Sequence, residues 1–198
     1  QMGKFTTDKS ALKKLILTSR SAKNQKKEVQ SHYDIGNDFY KLWLDETMSY
    51  SCGYFQNEDD SLYDAQVHKV DHTLAKLQLK AGMTLLDIGC GWGYLLKRAA
   101  KLYGVHGTGI TLSEEQYQQF KQDIQNEGLE DMLDVRLMDY RELAKSSMSF
   151  DRVVSIGMIE HVGRGNYEEF IKNVDAVLKP QGLFLLHFIS ALKEHEGD

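Results

Sequence analysis

Seven consecutive residues, Asp87 to Gly93, have the composition of a ligand-binding loop. They read Asp-x-Gly-x-Gly-x-Gly and stand between a short apolar run and a predicted helix. Ligands of open α/β sheets bind at this kind of strand end, and glycine lets the backbone turn and approach a ligand without steric cost. The spacing differs from the Gly-x-Gly-x-x-Gly of dinucleotide sites and from the Gly-Lys-Ser/Thr of Walker loops.

The acid that precedes the glycines narrows the class of ligand. Asp87 would repel a pyrophosphate, whereas it suits a cationic amino group. We therefore predict that this glycine loop, residues 87–93, binds S-adenosylmethionine (AdoMet). A tight strand-to-helix turn with no ligand is the alternative interpretation.

The end of the second predicted strand offers further polar groups. Nucleoside-binding folds often place an acid there for the ribose hydroxyls, but Thr111 follows Ile110 in this chain. Thr111 and Gln116 are candidates to hydrogen-bond the ribose or the amino-acid part of the cofactor. Ser113 and Gln116 also have the spacing of a helix-capping box, and both interpretations can hold together.

Strands and helices alternate along the chain from Met83 onward, which predicts an α/β fold with a doubly wound parallel sheet. Helices are expected from Ser61, with Asp64 in a capping box, to about Leu79, and then from the glycine loop to Tyr103. Two more are expected from Ser113 to Gly128 and from Asn166 to a turn at 179–182. The five predicted strands are Thr84–Ile88, His106–Ile110, Leu133–Met138, Arg152–Ile156 and Leu183–Ile189.

The length of the chain limits the number of domains. The 198 residues suit one domain, which we divide into a basic N-terminal helix and linker, residues 1–30, and a catalytic domain, residues 31–198.

Residues 1–28 carry a net charge of +6 and the rest −11, so the acidic body argues against nucleic-acid binding. Residues 9–19 form a predicted amphipathic helix that either packs on the body or contacts a membrane surface. Two cysteines without a pairing pattern favour a reduced, cytoplasmic compartment.

Six segments of the chain form a recognisable pattern in consistent order, and they are His32–Tyr40, Tyr50–Phe55, Leu86–Gly93, Gly109–Ser113, Ser155–His161 and Leu186-His187. Together they resemble the cyclopropane-fatty-acid synthase family over roughly residues 28–190. The pattern Asp139-Tyr140-Arg141 is similar to the bacterial branch that acts on membrane phospholipids. The resemblance implies a class I AdoMet-dependent methyltransferase fold with a seven-stranded sheet, of which this chain would contain five strands.

The same resemblance implies the chemistry and its residues. Members of the family use AdoMet to add a methylene group across a cis double bond of an acyl chain. A bound bicarbonate acts as the base, and the matching positions for its contacts are Cys52, Glu160, His187 and the backbone amide of Ile156. A tyrosine and a cysteine of the family would lie beyond Asp198. The implied cofactor contacts are Tyr50, Ser51, Gly89, Cys90, Gly91, Trp92, Gly93, Thr111, Leu112, Gln116 and Tyr140.

Elementary chemistry is consistent with this assignment. An alkene attacks the sulfonium methyl without prior deprotonation, so catalysis depends on alignment and on the surroundings of the cation that forms. Aromatic rings suit that cation, although core packing is the alternative for a dense aromatic group. The group comprises Tyr33, Phe39, Tyr40, Trp43, Tyr54 and Phe55.

Closing the ring removes a proton, which requires a base within hydrogen-bond reach. Glu160 follows a predicted strand end, but a helix start also favours an acid. For His187, a satisfied core histidine is the alternative, and for Cys52 a buried thiol. Cys90 is expected to fill space in the loop. His68 and His72 have helical i, i+4 spacing without a third ligand in register, so we predict no metal site.

Three function hypotheses follow. The leading one is a cyclopropane synthase that binds unsaturated phospholipid. It would be cytoplasmic and peripherally associated with the inner face of the membrane. Whether the full-length protein forms a homodimer is left open. The second is an AdoMet-dependent N-methyltransferase of a small amine, which the presence of Cys52 and His187 disfavours. The third is an AdoMet-binding fragment that is inactive without a missing C-terminal part, because two absent strands would expose a sheet edge.

Overall fold

Five parallel strands form the centre of the fold in a computed structural model that describes residues 36–190. Their order across the sheet is β3-β2-β1-β4-β5, and each neighbouring pair is parallel. This arrangement confirms the predicted α/β class with a doubly wound parallel sheet. The strands are β1 (Thr84–Ile88), β2 (His106–Thr111), β3 (Leu133–Leu137), β4 (Phe150–Ile156) and β5 (Leu178–His187).

The helices lie close to their predicted positions. The longest, α2 (Leu62–Lys76), begins after a complete capping box in which Ser61 and Asp64 bond each other's backbone amides, as expected, and it ends at Lys76 rather than Leu79. Two four-residue helices, Asn37–Tyr40 and Ile159–Val162, and a 3₁₀ segment at Tyr140–Lys145 were not predicted. The helices are α1 (Asn37–Tyr40), α2 (Leu62–Lys76), α3 (Tyr94–Tyr103), α4 (Glu114–Asn126), α5 (Ile159–Val162) and α6 (Tyr167–Val177).

Helices cover both faces of the sheet, which explains why β1 is buried along almost its whole length. Side chains of a strand alternate between the two faces, and in β1 Leu85 packs with Leu96 and Phe120 of α3 and α4. Its neighbour Leu86 packs on the opposite face with Phe170 of α6. The resulting three-layer structure holds β1 rigidly in the middle.

The fifth strand departs from its predicted bounds. A turn at residues 179–182 was expected to precede it, but the strand begins at Leu178 and ends at His187 instead of Ile189. Leu178 pairs with Phe150 and Leu183 with Arg152, so the residues of the expected turn form a bulge inside the strand. The turn chemistry is present, since Gln181 has a φ of 64°, but pairing with β4 continues on both sides of it.

The chain order places a crevice at one edge of the sheet. After β1 the chain adds β2 and β3 on one side, whereas β4 and β5 lie on the other side. A reversal of this kind leaves a crevice at the carboxyl ends of the strands, where ligands of such sheets bind. Within residues 36–190 no helix has the length and apolar character that crossing a membrane requires. The expected helix at 9–19 and the 1–30 segment lie outside the described residues.

Candidate active site

The glycine loop adopts a backbone that side chains would obstruct. Gly89, Gly91 and Gly93 have φ values of 80°, 55° and 82°, in the left-handed region that favours glycine. A Cβ on Gly93 would meet the ring of buried Phe120 at 2.2 Å, whereas one on Gly91 would meet nothing within 4 Å. A Cβ on Gly89 would lie 3.0 Å from Cγ of Met158, so crowding adds to the backbone requirement at the first and last glycines, whereas the middle one lies beside open space.

That open space is a pocket at the carboxyl ends of β1, β2 and β4, which we call the loop pocket. Twelve of the predicted site residues line it, and Gly93 does not, because it packs against Phe120. The lining also contains Lys69, Asp139, Arg141, Met158 and His161, none of which was predicted. The predicted residues in its wall are Tyr50, Ser51, Asp87, Gly89, Cys90, Gly91, Trp92, Thr111, Leu112, Gln116, Tyr140 and Ile156.

Asp87 is the acid of the loop pocket. It lies at the end of β1 and is 4% exposed. Burial raises the pKa of its carboxyl to about 7, and Lys69 opposes that rise. A cationic group bound in the pocket would favour the ionised carboxylate, which agrees with the cationic ligand predicted for this position.

The polar residues after β2 form a closed set of hydrogen bonds. The Thr111 hydroxyl donates to Oε1 of Gln116 at 2.7 Å and accepts from the Ser113 amide at 3.2 Å. Ser113 caps α4 through the Gln116 amide. The predicted capping box is thus only half formed, because the Gln116 side chain bonds Thr111 in the pocket wall instead of the Ser113 amide. Its Nε2 has no hydrogen-bond acceptor within the described part of the chain and can donate to a ligand.

Sequence reasoning missed two residues of α2. The Lys69 ammonium donates to Oγ of Ser51 at 2.6 Å and also to Oε1 of Gln66. Nε2 of Gln66 donates to the Ser51 carbonyl at 2.8 Å. The sequence did contain an indication of this role. Lys69 and Gln66 lie on the apolar face of α2, where a lysine is unexpected; the buried residues of that face include Ala65, Val70 and Leu74.

A second pocket, the histidine pocket, contains the three predicted catalytic side chains Cys52, Glu160 and His187. Sγ of Cys52 lies 3.8 Å from Nε2 of His187, although 135 residues separate them in the chain. Oε1 of Glu160 accepts a hydrogen bond from the Ile189 amide at 2.8 Å. Nδ1 of His187 is buried and has no hydrogen-bond partner among residues 36–190, so Nε2 is the nitrogen that can contact a ligand.

The two pockets are neighbours with a common wall. Ser49, Tyr50, Ser51, Gly157 and His161 line both of them. The fourth predicted catalytic position, Ile156, pairs with His187 across β4 and β5 and lines the loop pocket. The amide of the next residue, Gly157, donates to the His187 carbonyl at 3.0 Å.

The aromatic residues divide between core and surface. Tyr40 is 1% exposed, and its ring contacts those of Phe39, Trp43, Tyr50 and Trp92 at centroid distances of 5.2 to 5.7 Å. This cluster packs α1 on the glycine loop, with Tyr50 reaching into both pockets. Tyr54 instead stacks on the ring of His72, Phe55 is exposed, and Tyr33 lies outside the described residues.

The histidines of α2 face different partners. Nδ1 of His68 lies 3.2 Å from a carboxylate oxygen of Asp60, while His72 stacks on Tyr54. Across the described part of the chain, no group of three or more His, Cys, Asp and Glu side chains is arranged to hold a metal ion.

Comparisons with known proteins identify the family of the chain. The model of the family described as mycolic acid cyclopropane synthetase matches residues 20–198. A probable fatty acid methyltransferase of Pseudomonas putida is 43% identical over 173 residues, which cover 87% of this chain and 44% of that protein. The cyclopropane-fatty-acyl-phospholipid synthase of Escherichia coli (strain K12) is 47% identical over 164 residues, which cover 83% of this chain and 41% of that protein.

Solved structures give the same result. The cyclopropane synthase MmaA2 from Mycobacterium tuberculosis superposes with a TM-score of 0.81 at 39% identity, over 86% of this chain and 59% of that one. Mycolic acid cyclopropane synthase CmaA1, complexed with SAH and CTAB, gives a TM-score of 0.77 at 40% identity, over 81% and 55% of the two chains. The chain thus spans about two fifths to three fifths of the length of these proteins. With the fold of class I AdoMet-dependent methyltransferases, it belongs to the mycolic acid cyclopropane synthetase family.

Proposed function

We propose that the protein containing this chain adds a methylene group from AdoMet across the cis double bond of an unsaturated phospholipid acyl chain. The observation that carries the proposal is the common wall of the two pockets, to which Tyr50, Ser51 and Gly157 contribute. A methyl donor in the loop pocket would lie beside the side chains suited to removing a proton. The cyclopropane-fatty-acyl-phospholipid synthase of Escherichia coli, as a relative of this chain, supports the substrate class.

The residues of the loop pocket suit AdoMet. Its sulfonium methyl is the electrophile that the alkene attacks. Asp87 offers a carboxylate to the α-amino group, while Thr111 and Gln116 offer hydroxyl and amide groups to the polar parts. Gly91 leaves the backbone open to close approach. The task of these residues is to hold the reacting carbon at one position, because alignment alone supplies much of the rate in such a transfer.

Aromatic rings are suited to the cation that follows transfer. Trp43 and Tyr50 line the histidine pocket, and their centroids lie 5.1 Å apart with the rings nearly perpendicular. A ring face attracts positive charge without forming a bond to it. These two residues are therefore proposed to stabilise the carbocation, whereas buried Tyr40 supports them from behind.

Proton removal is assigned to the histidine pocket. Cys52 and His187 can donate hydrogen bonds to an anion, and Glu160 can accept one. Bicarbonate matches this set, because it has acceptor oxygens as well as a hydroxyl group, and as a base it would take up the proton lost on ring closure. We propose that these three side chains hold it, with the Ile156 amide as a fourth contact.

The mouth of the histidine pocket suits an acyl chain. Trp43 and Leu62 line it and are 45% and 43% exposed, and Ile189 beside them is 76% exposed. Exposed apolar groups around a pocket are typical of sites for apolar ligands or membranes. We therefore propose that the protein binds unsaturated phospholipid at a membrane surface. The proposed location is the cytoplasm, at the inner face of the membrane. The hypothesis for the full-length protein includes a homodimer.

The test is an assay of the full-length protein with AdoMet and vesicles of cis-unsaturated phospholipid. Mass spectrometry of the lipids should reveal a cyclopropane product. His187→Ala removes a proposed contact of the bicarbonate and should lower the rate by up to the usual contribution of general base catalysis, about 10²- to 10⁴-fold, while the affinity for S-adenosylhomocysteine stays nearly unchanged. Glu168→Gln, an exposed residue paired with Lys172, is the matched control.

Two results would contradict the proposal. One is methylation of a small amine with no change in the lipid, which would identify an N-methyltransferase. The other is full ring formation by the His187→Ala variant, which would remove the histidine pocket from the reaction.

A further inference from the structure

Lys69 is a buried cation in the wall of the loop pocket. It is 6% exposed, and the acceptors that it reaches, Ser51 Oγ and Gln66 Oε1, are both neutral. Lysine is almost never buried this deeply without an anionic partner. An ammonium group has three N–H donors, and two are used by these contacts.

The charges around Lys69 come from other elements of the fold. Burial lowers the pKa of its ammonium to about 8, and the surrounding groups Cys52, Asp45 and Asp87 raise it. Burial in turn raises the pKa of the Asp87 carboxyl, to about 7. The hydrogen-bond acceptors that Lys69 contacts directly within residues 36–190 are neutral, so a bound anionic group could supply a charged partner in the wall of the loop pocket.

We propose that Lys69 binds the carboxylate of the cofactor's amino-acid part, an assignment that rests on the proposed function. Its third N–H has no acceptor among residues 36–190, so it can donate one hydrogen bond to the ligand. Because the Ser51 hydroxyl accepts from Lys69, its own proton is available to donate a second. The α-amino group then meets Asp87, so that the two charges of the zwitterion face residues of opposite charge in the same pocket.

Gln66 fixes the orientation of this pair. Its Oε1 accepts from Lys69 and its Nε2 donates to the carbonyl of Ser51 at 2.8 Å. Helix α2 thereby holds both the side chain and the backbone of Ser51. The competing explanation is that Lys69 only braces the segment 49–52, in which case its charge would not matter to the ligand.

Two ligands separate these explanations. S-adenosylhomocysteine retains the carboxylate and lacks the sulfonium charge, whereas 5′-methylthioadenosine lacks the whole amino-acid part. In calorimetric titrations of the full-length protein at neutral pH, Lys69→Met should weaken S-adenosylhomocysteine about 10- to 100-fold, the range for hydrogen bonds to charged groups. Binding of 5′-methylthioadenosine should change less than about threefold. Lys69→Arg should retain most of the preference for S-adenosylhomocysteine over 5′-methylthioadenosine. Lys76→Met, in the exposed last turn of α2, is the control.

A pH series supplies a test that does not require Lys69→Met to fold. As pH rises through 8, the wild type should lose preference for S-adenosylhomocysteine, while Lys69→Arg should keep it, because arginine stays charged. Equal weakening of both ligands by Lys69→Met, or parallel pH profiles of wild type and Lys69→Arg, would overturn the assignment while leaving the proposed function intact. Failure of the wild type to bind S-adenosylhomocysteine at all would refute both.

Discussion

Replacing Gly93 with alanine should destabilise the domain more than the same change two residues earlier. The added methyl would lie 2.2 Å from the ring of Phe120, which is fully buried. Overpacking of this kind costs about 1–3 kcal/mol, and the left-handed backbone at φ 82° costs a residue with a Cβ about 1–2 kcal/mol. The free energy of unfolding should therefore fall by about 2–5 kcal/mol.

Gly91→Ala is the matched control. Gly91 also has a positive φ, of 55°, but its Cβ would meet nothing within 4 Å. Only the backbone cost of about 1–2 kcal/mol applies. The double variant Gly93→Ala/Phe120→Leu should lose less stability than the two single changes summed, because the smaller side chain removes part of the clash.

Differential scanning calorimetry of the full-length protein measures these differences. A loss of 1 kcal/mol lowers the midpoint by about 2–4 °C in a domain of this size, so the Gly93→Ala transition should fall by about 4–20 °C. Equal midpoints for the Gly93→Ala and Gly91→Ala variants would refute the packing argument. So would a double variant whose losses simply add.

Two further predictions concern stability. Asp151 accepts hydrogen bonds from Thr84 and Lys179, and these contacts lower the pKa of its carboxyl to about 2. A lowered pKa stabilises the fold above the unfolded value near 4, and this contribution disappears as pH falls toward 2. Asp151→Asn should therefore cost about 1–2 kcal/mol at neutral pH and flatten the acid limb of the stability curve; an unchanged acid limb would refute this. Ser61→Ala removes the N-cap of α2 and should cost about 1 kcal/mol in thermal unfolding, while Ser61→Asn should restore most of it; equal midpoints for the two variants would contradict the cap's role.

The framework of the fold was predictable because local patterns determine it. The alternation of strand-like and helix-like segments indicated all five strands, and the glycine spacing between the first strand and its helix placed residues 87–93 at the correct edge of the sheet. The bulge in β5 was not predictable, since Pro180 and Gly182 have the composition of a free turn. Only pairing with β4, a long-range interaction, keeps this segment in the strand.

The candidate site was predictable in part for the same reason. Residues of the glycine loop are contiguous, whereas Cys52 and His187 meet only through the packing of distant segments, and no spacing rule connects them. Their grouping came from resemblance to a family. Lys69 was missed because a capped amphipathic helix already accounts for the sequence pattern of α2. Its hydrogen-bond acceptor, Ser51, also lies on another segment of the chain.

The most direct test of the central claim uses AdoMet with a trideuterated methyl group and vesicles of cis-unsaturated phospholipid. Ring closure removes one hydrogen isotope from the transferred carbon, so the lipid product of the full-length protein should carry two deuterons. The His187→Ala variant should form this product far more slowly. A product that retains all three deuterons, on a lipid or on an amine, would indicate simple methyl transfer and contradict the account.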